Sequence, residues 1–234
     1  MAGDFLGPSL LSSLGKGRSM VDVMNHCGFT HICFGNHETD VPSEAIPQRI
    51  LQSNFVWLNT NMRELDERLD IDTNPHDVVI VTSGKFSKKV GLLGLLTEDP
   101  GLYRSGSFGG ATIEPVMETT EAYLKNEVLK DLDLIISLTH QRIVEDRVFS
   151  NKFGGEVFPI VIGGHDHEVY DETHSDSRII KTEFDAINMA IIDTKWEIQD
   201  DETVAEKPVI DVEMIPTNTF PKSPQVEAIF ACHK

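Results

Sequence analysis

Near-continuous apolar runs rich in Val, Ile and Leu recur along this 234-residue chain, with helical patterns between the early ones. Such runs are typical of strands that are covered on both faces, as in parallel or mixed sheets. Amphipathic spacing over residues 10–24 and 121–130 predicts two helices. The alternation of strands and helices predicts an α/β fold. The strand runs are residues 30–34, 55–58, 78–82, 90–96, 132–138, 158–162, 178–181 and 189–196.

The organisation changes after residue 161, where the strand runs follow one another too closely to leave room for a helix. This spacing predicts that the later part of the sheet is antiparallel or mixed. From residue 199 the chain becomes acidic and contains four prolines. We therefore predict one domain over residues 1–198, followed over residues 199–234 by a linker or the beginning of a further domain.

Charge and composition exclude several classes of function. Twenty Lys and Arg against 38 Asp and Glu give a net charge of −18, which repels nucleic acid phosphates and excludes general nucleic-acid binding. An anionic small substrate would need a local positive centre, and a bound metal ion is the simplest one. No apolar run reaches the ~18 residues of a membrane-spanning helix. The three cysteines form no CxxC pair, and the first 20 residues lack the pattern of a signal peptide.

Four polar motifs lie at or just after predicted strands, which is where α/β folds place their sites. The first motif is Gly-Asp and the second is Gly-Asn-His-Glu. The third is a lone His after a long apolar run, and the fourth is Gly-Gly-His-Asp-His. The residues that carry chemistry in these motifs are Asp4, Asn36, His37, His140, His165 and His167.

The ligand types in these motifs predict a metal site. His165 and His167 are two positions apart, so in an extended segment both side chains point to the same side and reach one metal cluster. Asn36 and His37 put an amide oxygen next to an imidazole, so that one can bind a metal while the other faces the substrate. One Asp, one Asn and three His form an oxygen and nitrogen set without thiolate, which suits Mn, Fe, Zn or Co.

The order of the motifs resembles that of the calcineurin-like metallophosphoesterases, which runs Asp-x-His, Gly-Asp, Gly-Asn-His-Glu, a lone His and Gly-His-x-His. The chain is most similar to the 5'-nucleotidase branch of this family. It shares Gly-Asp-Phe-Leu at residues 3–6, Met-Asn-x-x-Gly at residues 24–28 and Asp40 two positions after Glu38. The resemblance covers residues 3–196. It implies a four-layer αββα sandwich of mixed β-sheets.

The resemblance also implies roles for the individual residues. Asp4 would bridge two divalent ions, and three residues would complete the ligands of one of them: Asn36, His140 and His165. His167 would bind the other ion. His37 would contact the substrate and stabilise the transition state or protonate the leaving oxygen, with Asp40 orienting its imidazole.

The reaction that the resemblance implies is attack of a metal-bound hydroxide on a phosphate monoester of a nucleotide, with two ions of Zn, Mn, Fe or Co. The chain departs from the family pattern in two ways. It contains no Asp-x-His block, so we expect the first strand to be missing and the second metal site to be incomplete. It also ends before the C-terminal domain that the nucleotidase branch uses to hold the nucleoside.

These departures leave two alternatives open. The chain could be a catalytically impaired remnant that still binds metal, because half a ligand set can hold one ion. It could also be a metallophosphoesterase that acts on another phosphoester, such as a nucleotide-sugar or a cyclic phosphodiester.

Overall fold

The structure is a computed structural model and describes residues 1–125, 129, 131–155, 157–199 and 203–233. Within these ranges the chain forms seven α-helices and ten strands. The helices are α1 (Leu10–Gly15), α2 (Arg18–Cys27), α3 (Ile46–Gln52), α4 (Leu65–Leu69), α5 (Val116–Tyr123), α6 (Ile143–Phe153) and α7 (Pro224–Ala231). The strands are β1 (His31–Cys33), β2 (Val56–Leu58), β3 (Asp77–Ser83), β4 (Phe86–Leu96), β5 (Leu134–His140), β6 (Ile160–Gly163), β7 (Val169–His174), β8 (Ser177–Thr182), β9 (Asn188–Lys195) and β10 (Val209–Pro216).

The largest sheet has six strands in the order β3-β4-β5-β6-β8-β7. Its four central strands are parallel, and both edge strands are antiparallel to their neighbours. The register places Leu138 of β5 opposite Gly94 of β4 and Ile162 of β6. The carboxyl ends of β5 and β6 therefore meet at one edge of the sheet, which brings the segments that follow them together.

Two small sheets cover one face of the large sheet. The parallel pair β1-β2 and the antiparallel pair β9-β10 contribute to the same apolar core as the inward face of β4, β5, β6 and β8. On the outer face of β1-β2 the core is closed by α2, α3 and α4, and on the outer face of the large sheet it is closed by α5 and α6. The architecture is the predicted four-layer αββα sandwich with mixed sheets.

Strand β4 shows why the sequence predicts the sheet well. Val90 and Leu92 face the β1-β2 and β9-β10 layer, whereas Leu93 and Leu95 face α5 and α6. Both faces of the strand are thus buried, and the run is apolar throughout. All eight predicted runs are strands, and the later strands are antiparallel or mixed as expected.

The helix predictions need correction. The pattern over residues 10–24 forms two helices, because Lys16 and Gly17 adopt left-handed backbone angles (φ 50° and 78°) that end α1 before α2 begins. Of the second predicted helix, residues 126–128 and 130 lie outside the described residues, and α5 ends at Tyr123. Helices α3, α4, α6 and α7 have no counterpart among the sequence predictions.

The segment after residue 199 contains two regular elements. Strand β10 pairs along its whole length with β9, and α7 packs against α2, where His233 Nε2 lies 2.9 Å from Asp22 Oδ2. Residues 200–202 and 234 of the predicted linker lie outside the described residues, and the domain boundary stays a prediction. Among the described residues, every helix is too short or too polar to cross a lipid bilayer.

The loop that carries Asp4 is fixed by a buried carboxylate. Glu38 accepts hydrogen bonds from the backbone N–H groups of Asp4, Phe5, Leu6 and Gly35, with N···O distances of 2.8–3.1 Å for the first three. Burial, together with the nearby Asp4 carboxylate, raises the pKa of Glu38 to about 7, although the backbone donors oppose that rise. Two distant segments of the chain therefore meet on one side chain.

Gly94 marks the closest approach between two layers, and we expect Gly94→Ala to destabilise the fold. A Cβ atom at this position would lie 2.6 Å from the carbonyl oxygen of Leu58. Forcing β4 away from that backbone should lower the free energy of unfolding by about 1–3 kcal/mol in urea titrations. Gly15→Ala is the matched control, because its new methyl group would meet only an ordinary contact at 3.9 Å. Equal stability of the two variants would contradict this packing.

Glu38→Gln should destabilise the protein, and the penalty relative to the wild type should shrink as the pH rises through about 7, because the raised pKa of Glu38 means that its ionisation lowers the stability of the fold. Gln keeps one acceptor oxygen but directs an NH₂ group at two of the four backbone donors. Two buried N–H groups would then lose their partners, at a cost of about 2–4 kcal/mol in the free energy of unfolding. Glu121→Gln, on the exposed surface, is the control and should leave stability unchanged. A Glu38→Gln variant as stable as the wild type would show that the carboxylate does not anchor the loop.

Candidate metal centre

The polar motifs come together at the carboxyl ends of three strands. Asn36 and His37 begin the 3₁₀ segment that follows β1, His140 is the last residue of β5, and His165 comes two residues after β6. Asp4 reaches the same place because the residue two positions before it pairs with the end of β1. This arrangement follows from the parallel strands, whose ends lie side by side.

Four side chains converge at this edge. Asn36 Oδ1 is 3.1 Å from His140 Nε2 and 3.0 Å from His165 Nδ1. Asp4 Oδ2 is 3.0 Å from the same His140 nitrogen. One ligand atom from each of Asp4, His140 and His165 lies within 4.8 Å of the others. His140 is 1% exposed, whereas Asp4 and His165 are half-buried, so the cluster is buried at its His140 end.

The donor set fits one divalent transition-metal ion. His140 Nδ1 lies 2.7 Å from the carbonyl oxygen of Ala2, which can only accept, so Nδ1 carries a proton and Nε2 is the nitrogen that faces the cluster. A backbone carbonyl that fixes the tautomer of a ligating imidazole is the usual support for such a ligand. Carboxylate, amide and imidazole donors are the chemistry that Mn, Fe, Co and Zn accept.

The charges within the cluster are set by burial and by the pair of Asp4 and His140. Burial is the largest single influence and would raise the pKa of Asp4, but the hydrogen bond and charge of His140, together with those of His37, hold the pKa below its usual range. The same pair raises the pKa of His140 against the effect of its own burial. Burial and the neighbouring His140 lower the pKa of His165 to about 4. At neutral pH, Asp4 is therefore an anion and His165 a neutral imidazole.

Left-handed backbone angles in the Asp4 loop direct the Asp4 carboxylate toward the cluster. Gly3 and Asp4 both adopt left-handed angles (φ 76° and 57°), which turn the carboxylate back toward β1. Asp4 Oδ1 then accepts a hydrogen bond from the backbone N–H of His37 at 2.7 Å. Gly35 must lack a side chain, because a Cβ atom there would collide with the Asp4 carboxylate.

His37 and Asp40 form a second polar pair at the mouth of the site. His37 Nδ1 lies 2.8 Å from Asp40 Oδ2, and both side chains are about a third exposed. Because the carboxylate can only accept, Nδ1 carries the proton, and Nε2 is the atom left to exchange a proton with another molecule. The interpretation that Asp40 orients the imidazole of His37 agrees with this contact.

His167 lies outside the four-residue cluster. Its side chain is exposed, and its ring stacks on Phe184 with 5.0 Å between centroids. The expectation that residues 165–167 are extended is wrong, because β6 ends at Gly163 and His165 has a left-handed φ of 75°. Alternate residues of this turn therefore do not share a side. The role of His167 as a ligand of a second ion stays a prediction.

A buried ion pair beneath the cluster has no counterpart among the sequence predictions. Lys181 of β8 and Asp146 of α6 have side chains that are 1% and 0% exposed, and Lys181 Nζ lies 2.7 Å from Asp146 Oδ2. Burial raises the pKa of Asp146, although the ammonium of Lys181 opposes that rise. The signal in the sequence is a single Lys at the end of the apolar run 178–181, which is equally typical of a solvent-facing residue.

Comparison with known proteins was made on sequence and on structure. No family model matches the sequence. A snake venom 5'-nucleotidase of Gloydius brevicauda is 28% identical over 169 residues, which are 70% of this chain and 27% of the relative. The chain thus spans less than a third of that protein's length.

Two solved structures share the fold. A 5'-nucleotidase precursor from Thermus thermophilus superposes with a TM-score of 0.78 at 16% identity, covering 99% of this chain and 48% of the other. The calcineurin-like phosphoesterase YfkN from Bacillus subtilis superposes with a TM-score of 0.77 at 17% identity, covering 99% of this chain and 81% of the other. The chain is therefore similar in sequence to a 5'-nucleotidase over 70% of its length, and it shares the fold of a calcineurin-like phosphoesterase.

Proposed function

We propose that the chain is a metal-dependent phosphoester hydrolase domain that acts on the phosphate monoester of a nucleotide. The observation that carries the proposal is the convergence of Asp4, Asn36, His140 and His165, with the pair of His37 and Asp40 beside them. The substrate class rests on the snake venom relative, whose name is 5'-nucleotidase.

In this proposal Asp4, Asn36, His140 and His165 hold one divalent ion. Such an ion, when bound, supplies positive charge to phosphoryl oxygens and lowers the pKa of water. The protein needs this charge because its net charge of −18 repels a phosphate dianion. His167 enters only as a ligand of a second ion, since its ring lies outside the cluster.

His37 is the proposed acid that protonates the leaving oxygen of the ester. Its Nδ1–H is held by Asp40, so a proton for transfer resides on Nε2. The Asp40 carboxylate fixes the orientation of the ring through this hydrogen bond. The backbone N–H of His37 donates to Asp4, so the position of the acid is tied to the position of the metal ligand.

The proposal predicts that Mn²⁺ supports release of phosphate from nucleoside monophosphates by this chain. His37→Ala should lower kcat by about 10²–10⁴-fold and leave Mn²⁺ affinity nearly unchanged, because His37 is assigned to proton transfer and not to the metal. Asp4→Ala should lower both. The exposed His26 provides a control, since His26→Ala should change neither quantity.

The measurements are phosphate release and metal stoichiometry by calorimetry, with a nucleotide-sugar and a cyclic phosphodiester as comparison substrates. Absence of turnover with every ester, at full metal occupancy, would refute the hydrolase. An equal loss of metal affinity in the His37 and Asp4 variants would refute the division of roles.

Metal binding should also release a proton from His140. Against the effect of burial, the contact with Asp4 raises the pKa of His140, so at a given pH more of this imidazole is protonated, and Nε2 must lose that proton before it can ligate. Affinity for Mn²⁺ should therefore rise with pH until His140 is fully deprotonated, with release approaching about one proton per ion on the acid side of that pKa. Calorimetry in buffers of different ionisation enthalpy measures the release, and a pH-independent affinity between pH of about 6 and 8 would contradict it.

A further inference from the structure

The buried ammonium of Lys181 lies directly beneath the candidate metal centre. Its Nζ is 2.6 Å from the carbonyl oxygen of Gln141 and 2.8 Å from that of Gly164. It also lies 2.6 Å from Asp166 Oδ2 and 2.7 Å from Asp146 Oδ2. The three N–H donors of the ammonium bond to the first three of these oxygens, whereas Asp146 Oδ2 contacts the ammonium as an ion pair.

These oxygens belong to the residues that flank two of the proposed ligands. Gln141 follows His140, whereas Gly164 and Asp166 lie on either side of His165. The segments that carry the two imidazoles are therefore held to one point on β8. Lys181 reaches these segments through the carbonyl oxygens and the Asp166 carboxylate, so it acts on the imidazoles by way of the chain that carries them.

Asp146 completes the connection from helix α6. Its Oδ1 accepts hydrogen bonds from Thr139 Oγ1 at 2.7 Å and from Gln141 Nε2 at 2.9 Å. These residues lie on the two sides of His140. A further bond joins the two segments directly, since the backbone N–H of Gly164 donates to the carbonyl oxygen of Thr139 at 2.8 Å.

The packing around Lys181 leaves little freedom for its stem. A Cβ atom on Gly163 would lie 2.6 Å from Lys181 Cε and 3.0 Å from Asp146 Oδ2. The first glycine of the Gly-Gly-His motif is therefore required by the lysine, which crosses β6 at this position. Buried ion pairs of this kind contribute little net stability compared with apolar residues of the same volume, so stability alone does not explain the pair.

We propose that Lys181 is a positioning residue that sets the spacing of the His140 and His165 segments for the ion they share. The inference rests on the proposed function, because it assumes that an ion occupies this cluster. Residues that orient ligands from behind usually change metal affinity by about 10–100-fold when they are removed.

The test uses the whole chain and the double variant Lys181→Met/Asp146→Asn. Removing both charges avoids the unpaired buried carboxylate that Lys181→Met alone would leave. The matched control is Arg147→Met/Glu172→Gln, which removes another ion pair between α6 and the same sheet, with Nε and Oε1 2.7 Å apart. That pair joins α6 to β7, away from the residues flanking His140 and His165.

Two readouts are measured on each protein. The first is titration with Co²⁺, whose visible absorption bands report the geometry of its ligands. The second is amide hydrogen exchange of the metal-free protein over residues 139–142 and 163–167. We expect the double variant to bind Co²⁺ at least about tenfold more weakly, with altered bands, and to exchange faster in both segments. The control should match the wild type in both readouts.

Wild-type Co²⁺ affinity and bands in the double variant would overturn the positioning role, whatever the exchange rates. If the wild-type chain binds no Co²⁺, the proposed metal centre fails, and exchange alone then decides whether Lys181 fixes the two segments. Should the double variant not fold, Asp166→Asn takes its place, because it keeps the buried pair and weakens only the contact to the His165 segment. Wild-type affinity and bands in that variant would equally overturn the proposal.

Discussion

The carboxylate of Glu38 is the contact on which the rest of the site depends. It gathers backbone N–H groups from the Asp4 loop and from Gly35, so that the left-handed turn at Gly3 and Asp4 has a fixed place beside β1. Only in that place does the Asp4 carboxylate reach His140, which comes from a strand of the other sheet. The electrostatic state of the cluster then follows, because the Asp4–His140 contact governs the pKa of both residues.

Two buried charges of opposite sign share the task of holding the site. Glu38 accepts from N–H groups on the β1 side, and Lys181 donates to carbonyl oxygens on the β5 and β6 side. The carboxylate of Glu38 accepts from N–H groups, and the ammonium of Lys181 donates to carbonyl oxygens, that have no partner in the described strands at these positions. The clustered side chains thus lie at the end of a strand or just beyond one, where Glu38 and Lys181 pair with the backbone groups of the neighbouring residues.

The sequence predicts the architecture well where burial is two-sided and less well elsewhere. Residues 90–96 of β4 are apolar because both faces of the strand are covered there, whereas β10 alternates apolar and acidic residues, and this acidity favours the interpretation as a linker. The site follows the same rule, since strand ends in an α/β fold are predictable places for ligands. The position of His167 depends instead on the backbone angle of His165, which no sequence pattern specifies. The place of Lys181 depends on the pairing of β8 with β6 across an intervening hairpin, which is visible only in three dimensions.

Asp4 and His165 meet in the cluster although they are 161 positions apart in the chain. Asp4, Asn36, His140 and His165 come from four separate segments of the chain, so the cluster forms only when these segments have packed together. The entropic cost of closing these long loops is therefore offset by the packing of the whole fold, and the clustered side chains come together only with that packing. An ion at this position would cross-link the two sheets of the sandwich and would oppose local unfolding at β1, β5 and β6.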